Sequence, residues 1–451
     1  MHDLVIRNGK VVNLRKNTLE DIDIGIKKGK IVDLGKNISS GVKEIDAKGK
    51  IVSPGFIDIH MHEEKLYNTE YKNEYDISNK MLEMGVTTCV GGNCGNNRED
   101  LKVFVDHISE NGSPVNYMMF IGHNFLRNKV GITDRYREAN EEEIRQMNYL
   151  MNSYLEYGAI GVSFGLEYSP GVSSREIYGL LNNPNKDILL SAHYRTDGYG
   201  SYDAIREMID ISRHTGFPME ISHLGSCSAM GHMEKGLRII EDAIRDGVDV
   251  SADIYPYDAF STYIGSAVFD EGCFDRWDKS YDSILLTEGL YRGVRCNRDV
   301  FERIRREKPE MLVVAFVMNE EEVIEGMKSP FIYIGSDGVF NRGQGHPRGA
   351  GTFPRVLGKY SIREKKLLLI DALKKMTLGP AKRLGISQKG EIAVGKDGDL
   401  VIFDPENIID NASFEDPNLS PSGIEYVIID GKVAKDGNGI VNDRLGRIIR
   451  G

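Results

Sequence analysis

Ten histidines are spread over 451 residues, and five of them fall where an apolar run ends. His60 and His62 close Phe56-Ile-Asp-Ile-His-Met-His, and Cys94 closes Thr87-Thr-Cys-Val-Gly-Gly-Asn-Cys. His123 ends the run from Tyr117, Glu167 follows the run from Ile160, and His193 ends the run from Ile188. His223 closes Met219-Glu-Ile-Ser-His, Asp253 and Tyr255 end the run from Val248, and Asp337 closes Phe331-Ile-Tyr-Ile-Gly-Ser-Asp. On a strand, residues i and i+2 share a face, so the His60 and His62 imidazoles can converge on one ion without backbone strain. A Cys thiolate is a strong zinc ligand, and the glycines around Cys94 let the backbone come close to a cation. Asp337 suits either a ligand or a general base.

Each residue also has a plainer reading. An isolated His-x-His pair can be two polar residues on a solvated face, and Asp337-Gly338 is an ordinary turn dipeptide. His193 and His223 could each be satisfied core histidines, and Cys94 a packed thiol. Capping or supporting roles suit His123 and Asp253 better than ligation. The functional reading comes from the set, because so many metal-ligating types end successive runs.

The elements that must position these residues can be read from the alternation. Eight apolar runs alternate with helical patterns, the signature of βα units. Glu141 to Tyr157 reads as a long helix closed by Gly158, and Tyr202 to Thr215 as a second, stopping at Gly216. Met233 to Asp246 reads as a third, with Leu237, Ile240 and Ile244 on its apolar face. Eight such units predict an α/β fold, a (β/α)8 TIM-type barrel over 55–387, whose active sites form at the C-terminal ends of the strands. Residues 262–330 exceed a simple connection and are expected to form an insertion or lid.

Both ends of the chain read as short strands. Asn8-Gly9 carries a hairpin signal, and Asp399-Leu-Val-Ile-Phe and Tyr426-Val-Ile-Ile repeat the pattern near the C-terminus. A small β-sandwich domain built from 1–54 and 388–451 is therefore expected.

Composition bounds the function class. With 40% hydrophobic and 28% charged residues, the chain can bury a large core, which excludes collagen-like and disordered classes. Asp+Glu (68) outnumber Lys+Arg (57), giving a net charge of −11, so no nucleic-acid partner and no membrane surface is expected. Five scattered cysteines do not make a disulfide framework. The absence of a signal-like or transmembrane stretch leads us to expect a cytoplasmic protein. Self-association is left open.

The segment Ser53-Pro-Gly-Phe-Ile-Asp-Ile-His-Met-His resembles the first-strand motif of the amidohydrolase superfamily. Three further segments resemble the D-aminoacylase (N-acyl-D-amino-acid deacylase) family within it: Gly85 to Gly95, Asp253-Ile-Tyr-Pro-Tyr-Asp-Ala, and His346 to Gly358. The likeness continues through Lys375-Met-Thr-Leu-Gly-Pro-Ala and Gly395 to Pro405, so it spans nearly the whole chain. It implies the same barrel and sandwich. It also implies one firmly held Zn2+ on Cys94, His193 and His223, and a second, weaker or empty position at His60, His62, Cys94 and Asp337. Asp337 would be the catalytic acid/base, with Arg195, Tyr255, Ser261 and Arg348 holding the substrate.

The implied activity is zinc-dependent hydrolysis of a small-molecule N-acyl-D-amino acid, or a related N-acyl or D-dipeptide amide. The alternative is a cyclic-amide hydrolase of the dihydroorotase or hydantoinase type. Such enzymes commonly carry a carboxylated lysine at the end of the fourth strand, where this chain reads Phe164-Gly-Leu-Glu-Tyr. Glu167 is open to ligation, bridging or packing. One position departs from the pattern: many family members have a carboxylate-binding lysine two residues after the sixth-strand histidine, and here Gly225 stands there.

Overall fold

A computed structural model describes residues 1–66, 75–341 and 343–451. Eight parallel strands follow one another in chain order, alternating with helices, so the fold is α/β. They are Phe56–Asp58, Val86–Gly91, Asn116–Met119 (continued by Ile121–Gly122), Gly161–Gly165, Leu189–His193, Met219–Ile221, Val250–Ile254 and Ile332–Ile334. The third strand is broken at Phe120: its first half pairs with the second strand and its second half with the fourth. Beyond their formal ends the first and eighth strands also meet. Met61 bridges Gly338, Asp337 N–H donates to the His60 carbonyl at 2.7 Å, and His62 N–H donates to the Gly338 carbonyl at 3.0 Å.

The helices start and stop where local chemistry directs. Glu141–Tyr157 has a capping box between Asn140 and Glu143, and Gly158 ends it at a φ of 122°. Ser201–Thr215 buries Ile205, Met208, Ile209 and Ser212 as expected. Met233–Arg245 differs from its expected face: Met233, Gly236, Ile240 and Ala243 are buried and Ile244 is exposed. The stripe is rotated because Gly236 lets this helix approach its neighbour, where an added Cβ would lie 3.2 Å from Ile205 Cδ1.

The terminal strands form two further sheets, one of four strands (from His2–Arg7 to Gly41–Asp46) and one of seven. In the seven-stranded sheet Ile51–Pro54 pairs antiparallel with Leu400–Phe403, which joins the two ends of the chain. The period of two in a strand decides the rest. Leu400 and Ile402 face Leu4, Ile24 and Ile26 of the smaller sheet, whereas Val401 and Phe403 join the core beneath the helices. The Asn8-Gly9 turn is not a hairpin. It carries the chain from one sheet to the other, since His2–Arg7 pairs with Asp23–Lys27 and Gly41–Asp46 while Lys10–Asn13 pairs with Thr18–Asp21 and Ile51–Pro54. Asn8 adopts a φ of 61° there.

The segment expected as an insertion divides in two. Phe260–Tyr263, Leu312–Ala315 and Ile284–Leu286 form a separate antiparallel sheet, with its own core of Phe269, Trp277, Phe301 and Val313 among others. The following helix, Glu320–Lys328, instead packs on Met233–Arg245 and the eighth strand, so it completes the seventh βα unit. Among the described residues, no helix is long and apolar enough to cross a membrane.

Candidate metal centre and substrate pocket

The residues that end the strands do meet. Cys94 Sγ lies 3.3 Å from His60 Nε2 and 3.4 Å from His223 Nε2. Asp337 Oδ1 lies 3.1 Å from His62 Nε2 and 3.6 Å from His60 Nε2. The ligand atoms of Cys94, His193 and His223 lie within 4.8 Å of one another, as do those of His60, His62, Cys94 and Asp337. All but His62 are buried.

Backbone geometry makes this convergence. Cys94, His223 and Asp337 have φ of 52°, 35° and 49°, the left-handed region that costs a non-glycine residue of order 1–3 kcal/mol. Each is pinned locally. Asp337 N–H bonds the His60 carbonyl, and His223 N–H donates to Asp253 Oδ1 at 2.9 Å. The Cys94 turn is held by Gly95 N–H to Ser163 Oγ at 3.0 Å. It also depends on Gly165, where a Cβ would sit 2.2 Å from the Cys94 carbonyl oxygen.

The imidazoles are held in defined tautomers. Carboxylates only accept, so His60 Nδ1–H donates to Asp253 Oδ2 at 3.0 Å and leaves Nε2 free toward Cys94. Ser226 spends its one hydroxyl hydrogen on the His223 carbonyl. It therefore accepts from His223 Nδ1–H at 2.8 Å, again leaving Nε2 toward the sulfur. Burial would raise the Cys94 thiol, but the His60 and His223 imidazoles outweigh it and hold it well below the usual thiol range. Burial would likewise raise Asp337, yet the Arg348 guanidinium and the histidines hold its carboxyl well below the usual range. Burial would lower His193, but Cys94 and Glu167 push it up to about 9. A readily ionised thiol beside several imidazoles, whose facing protons a bound cation would displace, is a donor set that fits zinc.

Beside this cluster opens a cavity of about 550 Å³ lined by His62, Cys94, Tyr168, Ser261, Asp337 and Arg348, among others. Arg348 is buried, forms a 2.9 Å ion pair with Asp337, donates to the Ser261 carbonyl at 3.0 Å, and stacks over the Tyr255 ring. The Ser261 and Tyr255 hydroxyls are buried with no hydrogen-bond partner among the described residues.

Two expectations change. Arg195 does not line the cavity: its guanidinium is gripped by Glu207 at 2.7 and 2.9 Å and donates to the Val172 carbonyl. Tyr255 does not line it either, its ring lying against the Arg348 guanidinium instead. At Gly225 an added Cβ would meet Ile254 Cγ1 at 3.0 Å and Met318 Cε at 3.3 Å, so a side chain there requires both neighbours to give by a few tenths of an ångström. His123 stands apart from the centre and bonds Glu176 at 2.8 Å. The sequence reading passed over Arg98, Arg135 and Tyr168, which line the cavity from loops after the second, third and fourth strands. For Arg98 and Tyr168 the position in a loop directly after a strand was the available signal, whereas Arg135 follows the helix His123–Lys129 and carried none.

Residues 51–434 match the amidohydrolase family, and the chain belongs to it. It is 30% identical over 429 residues to N-acyl-D-glutamate deacylase of Alcaligenes xylosoxydans xylosoxydans, covering 88% of this chain and 86% of that protein. It superposes with a TM-score of 0.88 and 27% identity on N-acyl-D-glutamate deacylase from Bordetella bronchiseptica, covering all of both chains. That structure holds zinc and a phosphonate inhibitor mimicking the tetrahedral intermediate. A D-aminoacylase structure at the same TM-score and 28% identity, again covering all of both chains, concerns a binuclear metal centre with one-metal activation and second-metal attenuation.

Proposed function

We propose that this protein is a zinc-dependent deacylase of N-acyl-D-amino acids or closely related linear amides. The observation that carries the reading is the meeting of Cys94, His60 and His223 at 3.3–3.4 Å beside the Asp337 carboxylate, at the edge of a substrate-sized cavity. The 30% identity to an N-acyl-D-glutamate deacylase supports it. We place the firmly held ion on Cys94, His193 and His223, and a second, weaker position on His60, His62, Cys94 and Asp337. We further read the eight strands as a closed (β/α)8 barrel over 55–387, the terminal sheets as a β-sandwich domain, and the cytoplasm as the protein's location.

Zinc there supplies Lewis acidity, lowering the pKa of water to about 7 and polarising a carbonyl. Asp337 accepts the proton of the attacking water and returns it to the departing amine nitrogen, so one carboxylate serves both half-steps. Arg348 holds Asp337 ionised and ready to accept that proton. The unpaired Ser261 hydroxyl in the cavity wall offers a donor to a bound carboxylate, and with Gly225 in place of a lysine Arg348, stacked on Tyr255, is the cation beside it. The cyclic-amide alternative is disfavoured, since the fourth strand, Gly161–Gly165, and the turn after it through Glu167 hold no lysine to carboxylate.

Assays of N-acetyl-D-glutamate, other N-acetyl-D-amino acids and their L-enantiomers, with metal analysis, test the proposal. Turnover of the D-series that depends on zinc is expected. Metal-free protein with full activity, or activity that survives Asp337→Ala, overturns it.

A further inference from the structure

Glu167 reaches one of the two imidazoles proposed for the firmly held zinc: His193 Nε2 lies 2.8 Å from Glu167 Oε2. Both side chains are about 6–7% exposed, so the contact is dry. A carboxylate only accepts, which puts the hydrogen on Nε2 and leaves Nδ1 as the lone-pair atom. That Nδ1 is buried and has no hydrogen-bond partner among the described residues. The His193 ring packs edge-on to His223 with centroids 4.5 Å apart, and its ligand atom belongs to the Cys94–His193–His223 group.

Glu167 faces a cation of the segment inserted after the seventh strand. Arg276 Nη2 lies 3.6 Å from Glu167 Oε1, an ion pair beyond hydrogen-bond reach, and Oε1 has no hydrogen-bond partner among the described residues. Arg276 Nε donates to Asp197 at 2.7 Å, and Trp277 Nε1 donates to the other oxygen of Asp197 at 2.5 Å. Asp197 lies four residues beyond His193, so these contacts return to the strand that carries the imidazole.

We propose that Glu167 is a positioning residue that presents His193 Nδ1 to the metal, and that Arg276 of the inserted segment compensates the Glu167 charge. The inference rests on the zinc reading above. A carboxylate behind a ligating imidazole fixes its tautomer and raises its basicity, and losing such a support typically weakens metal binding by about 10- to 100-fold. The inserted segment thereby becomes part of the metal site as well as a wall of the cavity.

The test is zinc affinity of the full chain, read by competition with a chromophoric chelator, for wild type, Glu167→Gln, Arg276→Met, Cys227→Ser and Cys94→Ala. Glu167→Gln is expected to bind zinc about 10- to 100-fold more weakly, with a smaller loss for Arg276→Met. Its chelated form should melt at the same temperature as chelated wild type, and its Co2+ form should show a shifted visible spectrum. Cys227 also lies within ligand distance of Glu167 and His193, and Cys227→Ser is expected to leave affinity unchanged. Wild-type affinity in Glu167→Gln, with Cys94→Ala losing the metal, overturns this inference and leaves the deacylase reading standing. A Cys227→Ser loss as large as that of Cys94→Ala makes Glu167 a direct ligand and overturns it too. Retention of zinc by Cys94→Ala overturns the deacylase reading itself.

Discussion

The Asp337 carboxylate lies 2.9 Å from the Arg348 guanidinium, and both side chains are less than a tenth exposed. The proposed proton carrier and the proposed substrate anchor are therefore one electrostatic unit. Removing Arg348 strands a buried anion, which typically costs about 3–5 kcal/mol. Arg348→Met is expected to lower unfolding free energy by an amount of that order, measured by urea titration. A change under about 1 kcal/mol would show that His60 and His62 alone compensate Asp337.

Replacing the carboxylate separates chemistry from binding. Asp337→Asn keeps an oxygen and the size of the side chain but cannot accept a proton from water. Its kcat on N-acetyl-D-glutamate is expected to drop by about 10²- to 10⁴-fold, while the Cys94–His193–His223 group still holds zinc. Steady-state kinetics beside metal analysis decides it; an unchanged kcat removes Asp337 from the reaction.

Chelation should do two things together. Hydrolysis should cease and return with added zinc, and the melting temperature should fall. An ion present at a thousand times its dissociation constant stabilises the folded state by about 4 kcal/mol. Calorimetry with and without chelator tests this, and identical melting curves count against a resident ion.

At position 225 the structure predicts a penalty for restoring the family lysine. Its Cβ would press on Ile254 and Met318 at 3.0–3.3 Å, so both must give way. Gly225→Lys is expected to cost about 1–3 kcal/mol from overpacking, and Met318→Ala in the same chain should recover part of it. If the single variant is as stable as wild type, the site has room that these contacts deny.

Lys375 supplies a pH test remote from the centre. Burial pushes its ammonium down to about 8, and it donates to the carbonyls of Ser329 and Ile332. Its proton is held less tightly folded than unfolded, where the ordinary value is 10.5. The charged form therefore costs stability below pH 8, and that cost is relieved as pH rises from about 8 toward 10.5. The full swing is about 3 kcal/mol. The stability difference between wild type and Lys375→Met should change across this window; a flat difference refutes the depressed value.

Much of the site was legible because its signals are local. A His-x-His pair on a strand shares a face whatever the fold, and Gly-Asn-Cys-Gly and Ser-Asp-Gly mark turns. Helix ends were legible for the same reason, through the Gly158 and Gly216 stops. Arg195 was misread because an arginine beside a ligating histidine has two partners within reach, and Glu207 on the next helix wins it. The Asn8-Gly9 turn was misread because a tight turn does not say whether its flanking strands pair with each other.

From the amino acids alone came the eight apolar runs, the ligand types at their ends, and the strand-rich termini. These follow from side-chain periodicity and short-range sterics, which act over a few residues. Only the folded chain decided that Cys94, His223 and Asp337 turn into the left-handed region, that Glu167 backs His193, that Ile51–Pro54 pairs with Leu400–Phe403, and that Ile254 and Met318 crowd position 225. Those outcomes are contests between groups distant in sequence, settled by which strands lie side by side and by how little space a packed interior leaves.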